Sequence, residues 1–246
     1  MSVTVVEAHA KLTLSLHVTG VRSDGYHLID AEMVTLALHD RLRIDTEGTG
    51  VSVTGPYADG VPTDAGNLIT RALFLCGAEA GVHVEKNIPS GGGLGGGSAD
   101  AAAILRWAGW TDLGRAASIG ADVPFCLAAG RARVTGIGEI VTPLPHEDRT
   151  FTLIIPPLSC PTPLIYRTWD ELGGPIGDHG NDLEAAAIAA IPDLDWWRDR
   201  ITRAAGERPR LAGSGSTWFL EGARADLQAK MPAATVLVTQ TVASER

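Results

Sequence analysis

A cluster of six glycines lies directly before an alanine-rich segment, within the stretch from Lys86 to Leu105. Glycine has no Cβ, so such a cluster can adopt positive φ angles and bring bare amide groups against a ligand. Ser98 follows the cluster and is expected to cap a helix, whose free N–H groups and positive dipole end would face an anion. Before the cluster, Val82 and Val84 alternate with polar residues, which indicates a half-buried strand. The order of strand, glycine loop and helix predicts a phosphate-binding loop.

Three other interpretations of this loop fit less well. A flexible linker would not run straight into a serine and the helix-forming run Ala-Ala-Ala-Ile-Leu. The spacing Gly91-x-Gly93-x-x-Gly96 matches the dinucleotide-binding pattern only formally, because Pro89 separates it from the strand and a glycine-rich run matches by chance. A Walker loop needs a lysine before its final serine, and Gly97 stands there. The pattern therefore favours an ATP-phosphate cradle of another kind.

The segment from Pro89 to Ser98 resembles the central motif of the GHMP kinases, the superfamily of galactokinase, homoserine kinase, mevalonate kinase and phosphomevalonate kinase. Within that superfamily the chain most resembles the family of 4-diphosphocytidyl-2-C-methyl-D-erythritol kinases, and the resemblance covers most of its length. It implies an α+β fold of two domains. Residues 1–145 would form an ATP-binding and catalytic domain of the ribosomal protein S5 domain 2-like type. Residues 146–246 would form a ferredoxin-like domain on the substrate side, after a polar, proline-bearing connector at residues 144–149.

The resemblance implies a transferase that uses ATP and Mg²⁺. The expected reaction is phosphorylation of the C2 hydroxyl of 4-diphosphocytidyl-2-C-methyl-D-erythritol, giving the 2-phosphate and ADP in non-mevalonate isoprenoid precursor biosynthesis. Two alternatives stay open. One is a GHMP kinase that acts on another small alcohol, similar to homoserine or mevalonate, and the other is a non-catalytic protein of this fold that senses a nucleotide or metabolite.

The catalytic residues implied by the resemblance are Lys11 and Asp122. The segment around Lys11 resembles the family's opening Pro-Ala-Lys-Leu-Asn-Leu motif, with His9 in place of proline and Thr13 in place of asparagine. Without the resemblance, a lone lysine in a strand would be an exposed edge residue. Asp122 lies in Gly-Ala-Asp-Val-Pro-Phe, which resembles the segment that carries the catalytic aspartate; otherwise it would be a turn or cap residue. In this family Lys11 would orient Asp122 and face the γ-phosphate, while Asp122 would accept the proton of the substrate hydroxyl.

The segment Asp24-Gly25-Tyr26-His27 contains a turn signal between two strand-like runs. Tyr26 and His27 alone would be an aromatic pair that packs beside a turn. In the 4-diphosphocytidyl-2-C-methyl-D-erythritol kinases the matching segment holds the cytosine, the tyrosine by stacking and the histidine by hydrogen bonding. An aromatic face and an imidazole with two nitrogens suit a nucleobase. This segment favours the cytidine compound over other alcohols.

The resemblance also assigns three sets of contacts. The contacts to ATP and its phosphates are Pro89, Gly91, Gly92, Gly93, Leu94, Gly95, Gly96, Gly97, Ser98, Asn67 and Lys86. The contacts to the substrate are Thr13, Tyr26, His27, Tyr166, Gly213 and Ser214. The candidate metal ligands are Ser98 and Asp100.

Simpler roles compete for several of these residues. Asn67 precedes a run with helical spacing and would cap that helix. Lys86 would be a surface charge, and Tyr166 would pack in the core. Asp100 stands where many relatives have asparagine, and near the start of a helix a carboxylate is favoured by the dipole. Facing ATP it would repel phosphate unless Mg²⁺ intervened, which is why it is a candidate ligand.

Composition and charge limit the partners. The net charge of -9 argues against nonspecific nucleic-acid binding, and the expected partner is a small molecule. No apolar run has transmembrane length and no signal peptide is evident, so a cytoplasmic monomer or homodimer that does not bind membranes is expected. The three cysteines are widely spaced, and they predict buried small side chains with neither a disulfide nor a structural zinc.

Two secondary-structure expectations concern the first strands. Residues 3–18 alternate loosely, which predicts two strands interrupted near residues 7–10. Residues 33–44 predict a strand pair with its turn near His39 and Asp40.

Overall fold

The computed structural model describes residues 3–244. Two long antiparallel strands form the centre of the first sheet, β1 (Val3–Val21) and β2 (His27–Asp45). A short turn joins them, and Gly25 adopts a φ of +87° there. The Asp-Gly turn predicted from the sequence is confirmed.

Both expected interruptions are wrong, because β1 and β2 each run unbroken through them. The irregularity of β1 is absorbed by register shifts, one of them between His9 and Lys11. His39 pairs with His9 across the two strands, and Asp40 lies fully buried within β2. The Asp40 carboxylate accepts hydrogen bonds from the backbone N–H groups of Asn87 and Ile88, at 2.5 and 2.8 Å. Local chemistry favours a turn at His39 and Asp40. These long-range partners of Asp40 stabilise a strand there instead.

The first sheet has six strands, in the order β3-β4-β2-β5-β6 with β1 paired to β2. The remaining strands are β3 (Val51–Thr54), β4 (Gly81–Glu85), β5 (Arg131–Gly136) and β6 (Ile140–Leu144). The accompanying helices are α1 (Leu68–Cys76), α2 (Gly96–Trp107), α3 (Leu113–Ala116) and α4 (Val123–Ala128). Helix α2 packs on β1, α1 and α4, and its buried face is mainly alanine, which permits close approach.

The second sheet has four antiparallel strands in the order β10-β7-β9-β8. Its strands are β7 (Thr150–Ile155), β8 (Arg210–Leu211), β9 (Trp218–Glu221) and β10 (Thr235–Gln240). Its helices are α5 (Thr162–Glu171), α6 (Glu184–Ala190), α7 (Asp193–Ala205) and α8 (Leu227–Lys230). Along the chain this unit alternates as strand, helices, two strands, helix and strand, which is the ferredoxin-like arrangement. The predicted α+β fold with two sheets is confirmed; the division at residue 145 stays a prediction.

Several backbone contacts connect the two sheets and their helices. The N–H of Val242, just after β10, donates to the carbonyl of Thr35 in β2 at 3.0 Å. Leu16 in β1 pairs with the segment before α6, where it accepts from the N–H of Asp182 and donates to the carbonyl of Gly180. These contacts bring the second half of β1 and the middle of β2 close to the second unit.

The starts of two helices test the capping predictions. Asn67 caps α1, because its side chain accepts a hydrogen bond from the N–H of Ile69 at 2.8 Å, as predicted. The prediction that Ser98 caps α2 is wrong. That helix begins at Gly96, its N-cap is Gly95 with a φ of +71°, and Ser98 lies within the first turn. A glycine that can adopt a positive φ lets the chain enter the helix three residues earlier than a cap at Ser98 would allow.

The three cysteines are free, with Cys126 and Cys160 buried and Cys76 partly buried. The predicted absence of a disulfide among them agrees with this. Among residues 3–244, no helix combines the length and the apolar character needed to cross a lipid bilayer.

A buried ionic cluster joins β2, the segment before the glycine loop and α2. Lys86 is 3% exposed, and its ammonium donates to the carboxylates of Asp40 and Asp100, the latter at 2.6 Å. The simpler alternative, in which Lys86 is a surface charge, is therefore wrong. Two carboxylates share one ammonium, so the cluster carries an excess negative charge when all three groups are ionised.

We predict that Lys86→Met lowers the free energy of unfolding by about 3–5 kcal/mol, because it leaves two carboxylates buried without their cation. The matched variant Asp100→Asn keeps the Lys86–Asp40 pair and removes the excess charge, so it should change stability by no more than about 1 kcal/mol. Urea unfolding of both variants measures the difference. Equal losses would contradict the charge-balance explanation of the cluster.

Candidate active site

A cleft of about 870 Å³ is lined by residues from both units of the fold. Every residue that the sequence predicted to catalyse, to bind ATP or substrate, or to hold a metal lines this cleft. The structure thus brings together segments that lie up to about two hundred positions apart in the chain. Their individual roles stay predictions, and their geometry is described below.

Lys11 projects from β1 into the cleft with its side chain only 6% exposed. Its ammonium donates a hydrogen bond to the hydroxyl of Thr13 at 3.1 Å and lies 3.4 Å from a carboxylate oxygen of Asp122. Its backbone N–H donates to the carbonyl of Leu94 in the glycine loop at 3.0 Å. These contacts fix one cation between the glycine loop and a carboxylate.

Asp122 directly precedes α4, at the position where a cap residue would stand. Its side chain makes no capping hydrogen bond, and about a third of it, 34%, is exposed. Pro124 stands in the first turn of α4, where its missing N–H is not needed. The cap interpretation of Asp122 is therefore not supported, and the carboxylate is available to a ligand in the cleft.

The glycine loop is held by close packing as well as by its conformation. Gly91, Gly93 and Gly95 have positive φ angles, between 71° and 74°. A Cβ on Gly95 would lie 2.8 Å from the Cγ of Lys11, and one on Gly93 would collide with the carbonyl oxygen of Ala212. The loop is followed by the N-terminus of α2, whose free N–H groups and dipole favour an anion. Side chains at these positions would fill the cradle, whereas the glycines leave room for an ATP phosphate chain.

The turn between β8 and β9 packs directly against the glycine loop. The N–H of Thr217 donates to the carbonyl of Gly92 at 3.3 Å, which joins turn and loop. The side chain of Asn181 donates to the carbonyls of Leu211 and Gly213 at 2.9 and 2.7 Å. Nothing local in the sequence reveals these carbonyl partners, because they lie some thirty residues away.

The Ser214 hydroxyl lies 2.9 Å from the hydroxyl of Thr162 at the start of α5. Thr162 also lines the cleft and was not among the predicted site residues. Ser214 is therefore positioned by a helix of the second unit.

An aromatic group forms another part of the cleft wall. The His27 ring lies 4.6 Å from the Tyr166 ring at an angle of 34°, and 5.6 Å from the ring of Trp169. Its Nε2 lies 2.8 Å from a carboxylate oxygen of Asp170, and its side chain is 10% exposed. Tyr26 is 57% exposed at the cleft, and the guanidinium of Arg22 lies 5.4 Å from the centroid of its ring. These side chains can stack on a planar ring and fix one histidine tautomer.

Sequence reasoning missed Asp170. It lies four residues after Tyr166 on α5, so the two side chains face the same side of the helix. That spacing was the available signal. Burial raises the pKa of the Tyr166 hydroxyl above its usual range, and the Asp122 carboxylate adds to the rise. Tyr166 therefore stays a neutral hydrogen-bonding group near Asp122.

The two candidate metal ligands differ in their surroundings. Ser98 is half-buried in the first turn of α2 and lines the cleft. Asp100 is 4% exposed, one oxygen is bound by Lys86, and its other oxygen is buried without a hydrogen-bond partner among the described residues. Burial raises the pKa of Asp100 to about 7 against the opposing effect of Lys86, and Asp40 adds to the rise. One oxygen of Asp100 is committed to Lys86 and the residue is almost fully buried, so the less buried Ser98 hydroxyl is the better metal-side ligand.

Comparison with known proteins gives consistent results. The model of the GHMP kinases N terminal domain family matches residues 65–130. The 4-diphosphocytidyl-2-C-methyl-D-erythritol kinase of Paracoccus denitrificans (strain Pd 1222) is 39% identical over 231 residues, which cover 86% of this chain and 84% of that protein. A crystal structure of 4-(cytidine 5'-diphospho)-2C-methyl-D-erythritol kinase has a TM-score of 0.76 at 31% identity, covering 97% of this chain and 100% of that one. Methanococcus jannaschii mevalonate kinase shares the fold alone, with a TM-score of 0.61 at 12% identity, covering 98% of this chain and 99% of that one.

We predict that Gly95→Ala lowers the free energy of unfolding by at least about 1–2 kcal/mol, the usual cost of a left-handed conformation at a residue with a Cβ. The added methyl group would also displace the stem of Lys11. Gly97→Ala is the matched control, because its Cβ would meet only Leu68 at an ordinary 3.6 Å and its φ is not positive. It should change stability by less than about 1 kcal/mol. Denaturant unfolding compares them, and a harmless Gly95→Ala would contradict the packing described for the loop.

Proposed function

Because the chain belongs to the 4-diphosphocytidyl-2-C-methyl-D-erythritol kinases of the GHMP kinase family, we infer that it transfers the γ-phosphoryl group of ATP to the C2 hydroxyl of that compound. The products are the 2-phosphate and ADP, and the reaction is a step of non-mevalonate isoprenoid biosynthesis. The observation that carries this function is the Lys11–Asp122 pair, which faces the glycine loop in a cleft that also holds the His27 aromatic group. Both alternatives lose support, because the pair is intact and the relatives act on the cytidine compound.

Phosphoryl transfer needs alignment of the hydroxyl with the γ-phosphate and neutralisation of the charge that spreads over the phosphoryl oxygens. The amides of the glycine loop, from Gly91 to Gly97, and the N-terminus of α2 would bind the phosphate chain. Asn67 and Pro89 line the same side of the cleft and would contact the nucleotide. Lys86 would act indirectly, because its ammonium is committed to two carboxylates beneath the loop.

Asp122 would accept the proton of the attacking hydroxyl, because it is the carboxylate that reaches the cleft beside a fixed cation. Lys11 would orient Asp122 and stabilise negative charge on the attacking oxygen and on the γ-phosphoryl group. The hydroxyl of Thr13 accepts a hydrogen bond from Lys11 and so restricts where the ammonium can lie. Threonine in place of the asparagine of relatives keeps this acceptor but offers a shorter reach to the substrate.

Mg²⁺ would bind to the phosphate oxygens and the Ser98 hydroxyl, and when bound it supplies positive charge that neutralises the transferring phosphate. Asp100 is better explained as a partner of Lys86 than as a ligand, because one of its oxygens binds the Lys86 ammonium and the residue is almost fully buried. The Asp100→Asn variant distinguishes the two roles, because loss of a ligand would raise the Mg²⁺ concentration needed for half-maximal activity.

The cytosine would be read by His27 and the surrounding rings. A carboxylate can only accept a hydrogen bond, so Nε2 of His27 carries the proton that is donated to Asp170. In the neutral ring, Nδ1 then keeps its lone pair. That lone pair can accept from the exocyclic amino group of cytosine. Tyr26 would stack on the base, and Tyr166 would cover His27 from the other side. Gly213 and Ser214 would contact the methylerythritol part, where the turn lies nearest Lys11 and Thr13.

We also propose that the enzyme works in the cytoplasm as a monomer or homodimer. Its substrates are small and water-soluble, and the acidic chain needs only the local positive charge of its cleft to bind them.

The experiment that tests this function measures ADP release with Mg-ATP against diphosphocytidyl methylerythritol, homoserine, mevalonate, galactose and no acceptor. We expect turnover with the cytidine compound alone and a ³¹P spectrum of the product with one new monoester signal. Turnover with another alcohol would support kinase activity but contradict the cytidine compound as the substrate. ATP binding without turnover would favour the sensor.

The same assay tests the His27 site through Asp170→Asn. The variant removes the charge that fixes the His27 tautomer, so we expect the KM for the cytidine compound to rise about tenfold or more while kcat changes little. Asp148→Asn is the control, since that carboxylate is almost fully exposed and pairs only with His146. A fall in kcat at unchanged KM would show that Asp170 serves the chemical step instead.

A further inference from the structure

Outside the cleft, Glu7, His9 and His39 bring three metal-binding side chains together. One ligand atom from each lies within 4.8 Å of the other two, and this is the one such group of three within residues 3–244. The group lies on the face of the β1–β2 pair opposite the core. None of its members belongs to the phosphoryl-transfer site.

The strand geometry explains why these side chains meet. His9 in β1 is paired directly with His39 in β2. Glu7 precedes His9 by two residues, so it projects from the same face of the strand. The intervening Ala8 is fully buried on the other face, as is Asp40 beside His39. The group is thus a property of the strand register and does not depend on a loop.

Hydrogen bonds fix the tautomers of both histidines. Nδ1 of His9 lies 3.0 Å from the carbonyl oxygen of Leu36, and Nδ1 of His39 lies 2.8 Å from that of Ala37. A carbonyl oxygen can only accept, so each Nδ1 carries a proton and each neutral ring keeps its lone pair on Nε2. Histidines that bind metals are commonly oriented in this way, by donation from the other ring nitrogen to a carbonyl.

The two Nε2 atoms face the same carboxylate. Nε2 of His9 lies 3.4 Å from one oxygen of Glu7, and Nε2 of His39 lies 3.6 Å from the other. A lone pair that faces a carboxylate oxygen is unfavourable unless a positive charge lies between them. Protonation of both rings would place two charges on imidazoles whose centroids are 5.2 Å apart.

We propose that Glu7, His9 and His39 form a binding site for a divalent transition-metal ion, with Zn²⁺ as the ion it suits best. Zn²⁺ binds imidazole nitrogen and carboxylate oxygen at about 2.0–2.2 Å, so two ligands in a tetrahedral site lie roughly 3.3 Å apart. The distances from the Glu7 oxygens to Nε2 of His9 and of His39, 3.4 and 3.6 Å, are close to that value. Nitrogen ligands disfavour Mg²⁺ and Ca²⁺, which prefer oxygen. The expectation of no structural zinc rested on cysteine spacing and did not consider histidines on paired strands.

The ion would join β1 to β2 two residues before Lys11, where the register of the pair shifts. Three protein ligands leave one position of a tetrahedral zinc open to water. Arg106 adds positive charge near His9, so it weakens the attraction for a cation without removing a ligand. The site therefore stabilises the outer part of the strand pair and takes no part in phosphoryl transfer.

The test uses the full chain without a histidine tag, after treatment with a chelator and dialysis. Titration with ZnCl₂ in a calorimeter should give one bound Zn²⁺ per chain, and saturation with Zn²⁺ should raise Tm. His39→Gln and Glu7→Gln should each weaken binding at least tenfold and abolish the Tm increase. His146→Gln is the matched control, because that histidine lies elsewhere and pairs with an exposed aspartate; it should bind like the wild type.

Each other outcome contradicts the site. No binding by the wild type, or binding that His39→Gln and Glu7→Gln leave unchanged, would overturn the proposal. Binding that persists in both variants and is lost in Asp122→Asn would place the ion in the cleft. Because Glu7 is exposed, Glu7→Gln should fold normally, so its result stands even if His39→Gln is unstable. Anomalous scattering at the zinc edge from a soaked crystal locates the ion independently.

Discussion

The position of Lys11 depends on one contact between β1 and the glycine loop. The backbone N–H of Lys11 donates to Leu94, and its stem passes so close to Gly95 that no side chain fits there. This contact holds a nearly buried cation beside the loop that would receive phosphate, and within 3.4 Å of Asp122. The same glycine starts α2 through its positive φ. One residue therefore sets both the N-terminus of α2 and the place of the Lys11 ammonium, and both line the cleft.

The other end of the loop is fixed by ionic contacts. Lys86 is held between Asp40 and Asp100, and Asp40 also binds two backbone N–H groups of the segment that leads to the loop. A glycine-rich segment loses much conformational entropy when it is ordered, so anchors at both ends favour one conformation. The turn formed by residues 211–217 packs against the middle of the glycine loop. The enzyme can thus have a phosphate cradle that is formed before ATP binds, which reduces the ordering cost of binding.

Local patterns in the sequence predict much of the fold and the glycine loop, whereas the resemblance to a known family supplied Lys11, Asp122 and most other residues of the cleft. The strand, glycine loop and helix around residues 82–105, the Asp24-Gly25 turn and the Asn67 cap all depend on neighbours in the chain. The failures have long-range causes. His39 and Asp40 read as a turn, yet they lie in a strand because Asp40 binds a segment more than forty residues away. Asp170 and the His9–His39 pairing likewise need tertiary contacts and strand register, which spacing alone does not supply.

The most direct test of the account is a double-mutant cycle with Lys11→Met, Asp122→Asn and the double variant, assayed for kcat with saturating Mg-ATP and the cytidine compound. If the two side chains act as one unit, each single variant should lower kcat by about 10²-fold or more. The double variant should then be no more than about tenfold slower than the worse single variant. ATP affinity should change little with Asp122→Asn. Fully multiplicative losses would contradict the coupled pair, and an Asp122→Asn variant with full activity would remove that carboxylate from the mechanism.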